Sequence, residues 1–276
     1  MSAPAMPDLD HVLALAQTAA RAAAAAHRAA QDSGVLHVNL RTAHDVKLAA
    51  DVEAERIICD LLHARRPGDG ILAEERGAGA LDAPGVWIID PLDGTVNFSH
   101  GHPHFAISIA WAWQRVTQIG VIYDCRRDEM YTAVRGSGAY CNGRPIHAAA
   151  TARPGDAMLA IGLGKHDPAH AAAHALTRLA PVVQKLRISG AAALDLAFTA
   201  SGRLDAYSEN PIFLWDIAAG ALLVEEAGGV CLQWHTGQPA RRVCLAAAPG
   251  IAAALLDLLS LDRNACARTC FDDGDY

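Results

Sequence analysis

The segment that decides the fold covers residues 87–98 and reads WIIDPLDGTVNF. Its apolar start predicts a short buried strand, which delivers two carboxylates, Asp90 and Asp93, into a turn. Carboxylates are preferred Mg²⁺ ligands, and the remaining positions around the ion are filled by water and substrate phosphate. In the turn, Gly94 lets a backbone N–H approach an anion closely, and Thr95 adds a hydroxyl. The segment therefore predicts metal-assisted phosphoryl chemistry.

Composition and charge narrow the class of protein. The chain has 276 residues, of which 52% are hydrophobic, and its formal net charge of −7 argues against a nucleic-acid-binding surface. Its seven cysteines are an odd number without a disulfide pattern, which favours a reducing compartment. No window approaches 18 consecutive apolar residues and no secretory pattern opens the chain. We therefore expect a cytoplasmic protein that does not enter a membrane.

Hydrophobic periodicity predicts a mixed α/β chain. In the first half we expect helices at 8–31 and 50–63, a strand at 71–73, and strand-like runs at 105–113, 116–123 and 130–134. In the second half strands and helices are expected to alternate over 158–163, 169–179, 191–201, 204–207 and 216–227. Segments 230–234 and 243–247 and a final helix at 249–259 follow. We expect one domain over 1–261, built from two packed halves of about 1–150 and 151–261, and a disordered tail at 262–276 that carries Cys266 and Cys270.

Metal chemistry on phosphate requires several carboxylates that converge on one site. Four carboxylates lie at the ends of predicted elements: Glu74, Asp90 and Asp93 follow predicted strands, and Asp216 begins a predicted helix. The chain resembles the inositol monophosphatase family from about residue 9 to residue 259. Both family signatures occur in order, in residues 87–98 and in residues 215–229, WDIAAGALLVEEAGG. The resemblance implies a layered α-β-α-β-α sandwich of the inositol monophosphatase / fructose bisphosphatase type. It also implies a homodimeric, Mg²⁺-dependent, lithium-sensitive phosphatase.

The same resemblance implies a ligand set for two to three Mg²⁺ ions. Glu74 and Asp90, with the carbonyl oxygen of Leu92, would hold the first ion. Asp90, Asp93 and Asp216 would hold the second, so that Asp90 bridges the two. Glu74 would also reach a third, weaker ion through water.

Catalytic and substrate-binding roles are implied in the same way. Thr95, oriented by Asp51, would take the proton from the attacking water, with Glu74 also in the catalytic group. Glu209 is expected on a loop opposite the phosphate cradle, where it would accept hydrogen bonds from a polyol. The implied substrate-binding residues are Asp93, Gly94, Thr95, Gly190, Ala191, Ala192, Glu209 and Asp216.

The sequence departs from the family pattern at Leu48, where a threonine is usual, and in residues 210–213, NPIF, where a glycine-containing stretch is usual. The first departure predicts a weaker third metal site and a weaker lithium response, and the second a reshaped substrate pocket. Imidazole is disfavoured by Mg²⁺, so His100, His102 and His104 are left outside the predicted metal site.

Residues 189–195, SGAAALD, resemble the inositol type, which makes inositol monophosphate the leading substrate. The alternatives are a phosphatase of histidinol phosphate, fructose bisphosphate or adenosine bisphosphate, and a regulatory protein of the same fold that binds RNA-processing machinery.

Overall fold

The computed structural model describes residues 5–33, 38–41, 46–164, 168–238 and 240–263. Most of the predicted tail, including Cys266 and Cys270, lies outside these ranges. Within them, no helix combines the length and apolar character that a bilayer crossing requires. The helices of the described residues are α1 Leu9–Asp32, α2 Ala49–Arg65, α3 Thr95–Ser99, α4 Pro168–Leu179, α5 Ala192–Ala200, α6 Leu214–Glu226 and α7 Pro249–Leu259.

The larger sheet of the described residues has eight strands in the order β10-β9-β8-β7-β6-β5-β3-β4. Its strands pair antiparallel except for β3 and β5, which run parallel. A separate hairpin joins β1 Val38–Arg41 to β2 Val46–Leu48. The strands of the larger sheet are β3 Gly70–Ala73, β4 Gly77–Gly79, β5 Gly85–Asp93, β6 Ala106–Trp113, β7 Val116–Asp124, β8 Glu129–Val134, β9 Ala139–Cys141 and β10 Arg144–Pro145.

The smaller sheet has five strands in the order β12-β11-β13-β15-β14. β11 runs parallel to both of its neighbours, so the carboxyl ends of β11, β12 and β13 lie at one edge. Its strands are β11 Met158–Ile161, β12 Lys185–Arg187, β13 Ala206–Phe213, β14 Val230–His235 and β15 Arg241–Ala247. The larger sheet uses residues 70–145, and the smaller sheet uses residues 158–247. The predicted boundary between the two halves, near residue 150, lies between these ranges and stays a prediction.

The two faces of the larger sheet are covered by different helices. Every residue of β5 is buried, and successive side chains of a strand point to opposite faces. Trp87 and Ile89 pack in the cluster of α1 and α2, whereas Val86 and Ile88 pack in the cluster of α5 and α6. The apolar run that predicted this strand therefore serves two cores.

The middle helical layer joins the sheets. Leu222 of α6 shares one core with Ile88 of the larger sheet and Tyr207 of the smaller sheet. On the far face of the smaller sheet, Ile161 packs with Ile251 of α7. The order of layers is therefore α1 and α2, larger sheet, α5 and α6, smaller sheet, α4 and α7, which confirms the predicted α-β-α-β-α sandwich.

The clearest departure from the predicted elements is β13. The prediction placed a segment at 204–207 and Glu209 on a loop, but the strand continues to Phe213. Its pairing with β15 is irregular between Glu209 and Ile212. Pro211 falls inside that irregularity, where a residue without a backbone N–H is tolerated. Glu209 therefore lies on a strand.

Candidate active site

Three buried aspartates lie together where the middle helices meet the larger sheet. One carboxylate oxygen from each of Asp90, Asp93 and Asp216 lies within 4.8 Å of the other two. Asp90 and Asp93 end β5, where pairing with β6 becomes irregular. Asp216 lies in the first turn of α6. The structure thus brings together three of the four predicted carboxylates in one buried group.

Two of these aspartates are held by backbone N–H groups of their own segments. The Leu92 N–H donates to Oδ1 of Asp90 at 2.9 Å. The Phe213 N–H donates to Oδ2 of Asp216 at 3.3 Å, at the beginning of α6. Asp216 therefore satisfies a helix terminus and contributes to the cluster at the same time.

Asp93 is held by the other half of the chain. Its carboxylate accepts hydrogen bonds from the N–H groups of Ala192 at 3.0 Å, Ala193 at 2.9 Å and Leu194 at 3.3 Å. These are the N–H groups at the start of α5, which have no partner inside the helix. A residue of β5 therefore stabilises the N-terminus of a helix about 100 residues later in the chain.

The electrostatics of the cluster favour a cation. Burial raises the pKa of the Asp93 carboxyl well above its usual value, and the negative charge of Asp216 raises it further. The hydrogen bonds from α5 oppose this shift only in part. Buried carboxylates this close repel one another unless positive charge or a proton compensates. The donor set of hard oxygen atoms fits Mg²⁺.

A cavity of about 260 Å³ opens beside the cluster. It is lined by six carboxylate side chains, and the described lining residues include no lysine, arginine or histidine. The carboxylates are Glu74, Asp90, Asp93, Asp195, Glu209 and Asp216. The other predicted site residues on its wall are Leu92, Gly94, Thr95, Gly190, Ala191 and Ala192.

Asp51 is the predicted residue that lies away from the described cavity wall. It is buried in the first turn of α2, where its Oδ2 accepts a hydrogen bond from the Leu48 N–H at 2.9 Å. The Thr95 hydroxyl donates its one proton to the Leu92 carbonyl oxygen at 3.0 Å. The predicted orientation of Thr95 by Asp51 therefore stays a prediction.

Gly94 is required by the backbone at the turn. Its φ of 89° lies in the left-handed region. A Cβ at this position would also come within 3.0 Å of the His104 carbonyl oxygen. The turn can therefore bring its backbone to the cavity only with a glycine.

Glu209 forms part of the opposite wall. Its Oε1 accepts a hydrogen bond from the Gly164 N–H at 2.8 Å, and its Oε2 accepts one from the Tyr207 hydroxyl at 2.6 Å. These contacts hold the carboxylate in the middle of β13, where it lines the cavity.

Two residues that support the site carried no predicted role. The Asn97 amide nitrogen donates to the carbonyl oxygens of His104 at 2.7 Å and Ser189 at 2.8 Å. It thereby ties α3 to the segment before α5. The Glu55 carboxylate accepts hydrogen bonds from the N–H groups of residues 75 and 76, at 2.7 and 3.0 Å. It thereby holds the loop that follows Glu74.

The histidine cluster left outside the metal site is divided. His104 is buried and its Nε2 lies 3.1 Å from Oδ1 of Asp195, while its ring packs edge-on against Phe198. His100 and His102 are exposed. None of the three belongs to the aspartate cluster.

Comparison with known proteins places this site in a family. The profile of the inositol monophosphatase family matches residues 8–266. An inositol-1-monophosphatase of Mesorhizobium japonicum is 44% identical over 74% of this chain and 77% of its own length. A protein of Xylella fastidiosa named Nus factor SuhB is 42% identical over 71% of this chain and 72% of its own length.

The fold agrees with that assignment. The crystal structure of the extragenic suppressor protein suhB from Bartonella henselae superposes with a TM-score of 0.82. The two proteins are 35% identical, over 90% of this chain and 98% of the other. With the family matched over nearly the whole sequence and with the same fold, the chain belongs to the inositol monophosphatase family and is a phosphatase.

Proposed function

We propose that the protein hydrolyses small phosphate monoesters in a Mg²⁺-dependent reaction, with inositol monophosphate as the leading substrate. The supporting observation is the cavity wall, where six carboxylates and no cationic side chain were found among the described lining residues. A phosphate monoester is a dianion, so it can enter such a cavity only if bound cations screen the carboxylates. The same ions would offset the repulsion within the buried aspartate group.

The positions of three carboxylate groups support the proposed ligand set. Asp90, Asp93 and Asp216 offer one oxygen each within 4.8 Å. Glu74 and Leu92 line the same cavity, and the Glu74 carboxylate and the Leu92 carbonyl oxygen complete the set proposed for two to three ions. Bound Mg²⁺ would supply Lewis-acid stabilisation of phosphate charge and lower the pKa of water toward neutrality.

The protein's own residues orient the ester and move a proton. The turn at Gly94 presents its backbone to the phosphate. Thr95 would accept the proton of the attacking water while its own hydroxyl proton turns from the Leu92 carbonyl oxygen toward Asp51. The bond from Thr95 to the Leu92 carbonyl oxygen fixes the hydroxyl at the cavity wall. General acid–base catalysis of this kind contributes about 10²–10⁴-fold.

The alcohol half of the ester would lie between residues 190–192 and Glu209. The Ala192 N–H already donates to Asp93, so that N–H is committed within the protein. The Glu209 carboxylate lines the same cavity, and carboxylate oxygens are acceptors for the hydroxyl groups of a polyol.

We extend the proposal to lithium inhibition, a cytoplasmic homodimer, and an absence of nucleic-acid and membrane binding. The Leu48 side chain is fully buried with Leu92, Phe98 and Phe105. It therefore offers packing where the family usually has a hydroxyl, which supports a weaker third metal site and a weaker lithium response.

The test is phosphate release from a panel of monoesters with Mg²⁺ or with EDTA. Inositol monophosphate, histidinol phosphate, fructose bisphosphate and adenosine bisphosphate are compared. We expect release only with Mg²⁺ and the highest kcat/KM for inositol monophosphate. Asp216→Asn should abolish turnover, whereas Asp82→Asn, at an exposed position, is the matched control and should retain it. Equal release in EDTA would contradict the proposal.

A second candidate function is favoured by the relative named Nus factor SuhB. We propose that the same fold could serve as a regulatory protein of the RNA-processing machinery. The Asp216→Asn protein, which should lack phosphatase activity, separates the regulatory role from catalysis. It is tested for its ability to restore the growth of a strain that lacks the native gene. Full restoration supports the regulatory role, and none supports catalysis.

A further inference from the structure

Three exposed apolar side chains stand at the mouth of the active-site cavity. Val96, Leu163 and Ile188 are 42%, 45% and 52% exposed, and all three line the cavity. Single exposed apolar residues are ordinary on protein surfaces, but a cluster at a cavity marks a binding surface. The other exposed large hydrophobic side chains of the described residues lie outside the cavity wall: Met6, Val52 and Val182.

Sheet topology places two of these residues at the same edge of the smaller sheet. Leu163 follows β11, which ends at Ile161, and Ile188 directly follows β12, which ends at Arg187. β11 and β12 are neighbouring parallel strands, so both residues leave the sheet at the same edge. Carboxyl ends of parallel strands are where α/β proteins bind ligands.

The segment that carries Leu163 is held in place. The Gly164 N–H donates to Glu209 at 2.8 Å. On the other side of Leu163, a Cβ at Gly162 would overlap the Glu209 carboxylate. The backbone therefore packs directly on Glu209, and the exposure of Leu163 is a fixed feature of the cavity mouth.

The third side chain connects this apolar rim, Val96, Leu163 and Ile188, to the reaction. Val96 directly follows Thr95 on α3, so it borders the proposed phosphate position. The three residues come from three separate segments around one opening, an arrangement that suits a group entering the cavity. A flat protein partner would instead be met by a continuous apolar patch.

We propose that, besides polyol phosphates, the site accepts monoesters whose alcohol half carries an alkyl group, which packs against this rim. The inference rests on the proposed phosphatase function and refines its substrate class. The ester's phosphate would point to the carboxylate floor, and its apolar portion would cover Val96, Leu163 and Ile188.

The test uses the unmodified protein with Mg²⁺ and a series of n-alkyl phosphates from methyl to hexyl, with inositol monophosphate measured beside them. We expect kcat/KM to rise about tenfold along the series. A single methylene in a closed hydrophobic pocket changes kcat/KM by about 10–200-fold, and an open rim should give the low end of that range over several methylenes.

The doubly substituted Leu163→Ser/Ile188→Ser protein should lose most of this rise, so that its hexyl-to-methyl ratio approaches one. Val182→Ser, at an exposed site outside the cavity wall, is the matched control and should keep the ratio. If kcat/KM of the unmodified protein does not change along the series while inositol monophosphate is still hydrolysed, the proposed role of the apolar rim is wrong and the phosphatase proposal stands. Failure to hydrolyse any monoester would overturn both.

Discussion

Asp90→Asn separates the electrostatic cost of the aspartate cluster from its catalytic use. The substitution removes one negative charge from the cluster, and the asparagine Oδ1 can still accept the hydrogen bond from the Leu92 N–H. At 4.8 Å two unit charges repel by roughly 3.5 kcal/mol at an effective dielectric constant of about 20. Asp90 has two such neighbours, so their repulsion disfavours full ionisation of all three groups, in the same direction as the raised pKa of the Asp93 carboxyl.

Proton uptake by the aspartate cluster limits the increase in stability that Asp90→Asn can give. Full protonation of one aspartate near pH 7 would cost about 4 kcal/mol against an unfolded pKa of about 3.9, because one pKa unit is worth about 1.4 kcal/mol. This cost sets the upper limit of the gain. We therefore expect Asp90→Asn to raise the free energy of unfolding in EDTA by about 2–4 kcal/mol. That change corresponds to several degrees in Tm for a chain of this size.

The pH dependence has a definite sign. The folded pKa of Asp93 is raised, first by burial and then by Asp216, so the folded protein holds more protons than the unfolded chain above the unfolded pKa. Stability of the metal-free protein should therefore fall as pH rises from about 4 toward neutrality. The difference in the free energy of unfolding between Asp90→Asn and the unmodified protein should therefore shrink to about 1.5 kcal/mol near pH 5.

Thermal and urea unfolding at pH 5 and pH 8, with EDTA or with Mg²⁺, measure these differences. Mg²⁺ should stabilise the unmodified protein, by about 2.7 kcal/mol at 100 times its Kd, and should do much less for Asp90→Asn. Asp82→Asn, at an exposed position, is the control for loss of one charge. An Asp90→Asn protein that is less stable than the unmodified protein in EDTA, or that turns over normally at moderate Mg²⁺, would refute the reasoning.

Three further substitutions test individual roles. Thr95→Ala should lower kcat by roughly 10²–10⁴-fold and leave the Mg²⁺ dependence nearly unchanged; steady-state kinetics at several Mg²⁺ concentrations would reveal the opposite pattern if Thr95 served the metal. Glu209→Ala should raise KM for inositol monophosphate by an amount corresponding to about 1.5–3 kcal/mol. It should also lower Tm, because the Gly164 N–H and the Tyr207 hydroxyl lose their acceptor. If neither Tm nor KM changed, Glu209 would have neither a structural nor a substrate-binding role. Leu48→Thr should sharpen inhibition by Li⁺ in dose–response assays, and an equal Li⁺ response in both proteins would exclude this position from the inhibitory site.

Much of the fold was predictable where the sequence of an element carries a local signal, such as an apolar run or a residue typical of a helix end. The last helix was predicted at 249–259 and is observed as Pro249–Leu259, with the proline in its first turn. The strand over residues 87–89 was predicted from its apolar run, which is buried on both faces. Helix 216–227 was predicted slightly late, because the helix begins at Leu214 with Asp216 in its first turn.

Strands that depend on a distant partner were missed or predicted too short. β12, Lys185–Arg187, has only three residues, and two of them are exposed, so it has no apolar run to detect. It exists because it pairs parallel with β11. In β13 the sequence Asn210-Pro211 is typical of a turn, and only the irregular pairing with β15 lets the strand continue.

The same distinction separates the predicted site residues from the missed ones. The carboxylates Asp90, Asp93 and Asp216 stand inside sequence motifs, so their proximity could be predicted from the resemblance. The three hydrogen bonds from α5 to Asp93 and the bond from Asn97 to Ser189 join residues more than 90 positions apart. No local pattern encodes such contacts, because each depends on how the two halves pack.

These long-range contacts imply that the active site and the packing of the halves form together. The carboxylate of Asp93 faces the aspartate cluster and stabilises the start of α5. Asn97 ties the proposed phosphate turn to the segment before that helix. Ser108 of β6 donates to the Trp215 carbonyl oxygen beside Asp216 at 3.2 Å. The ligands proposed for Mg²⁺ come from both halves, and Asp93 is held by backbone N–H groups of the other half. Mg²⁺ binding should therefore stabilise the packing between the two sheets as well as the site itself.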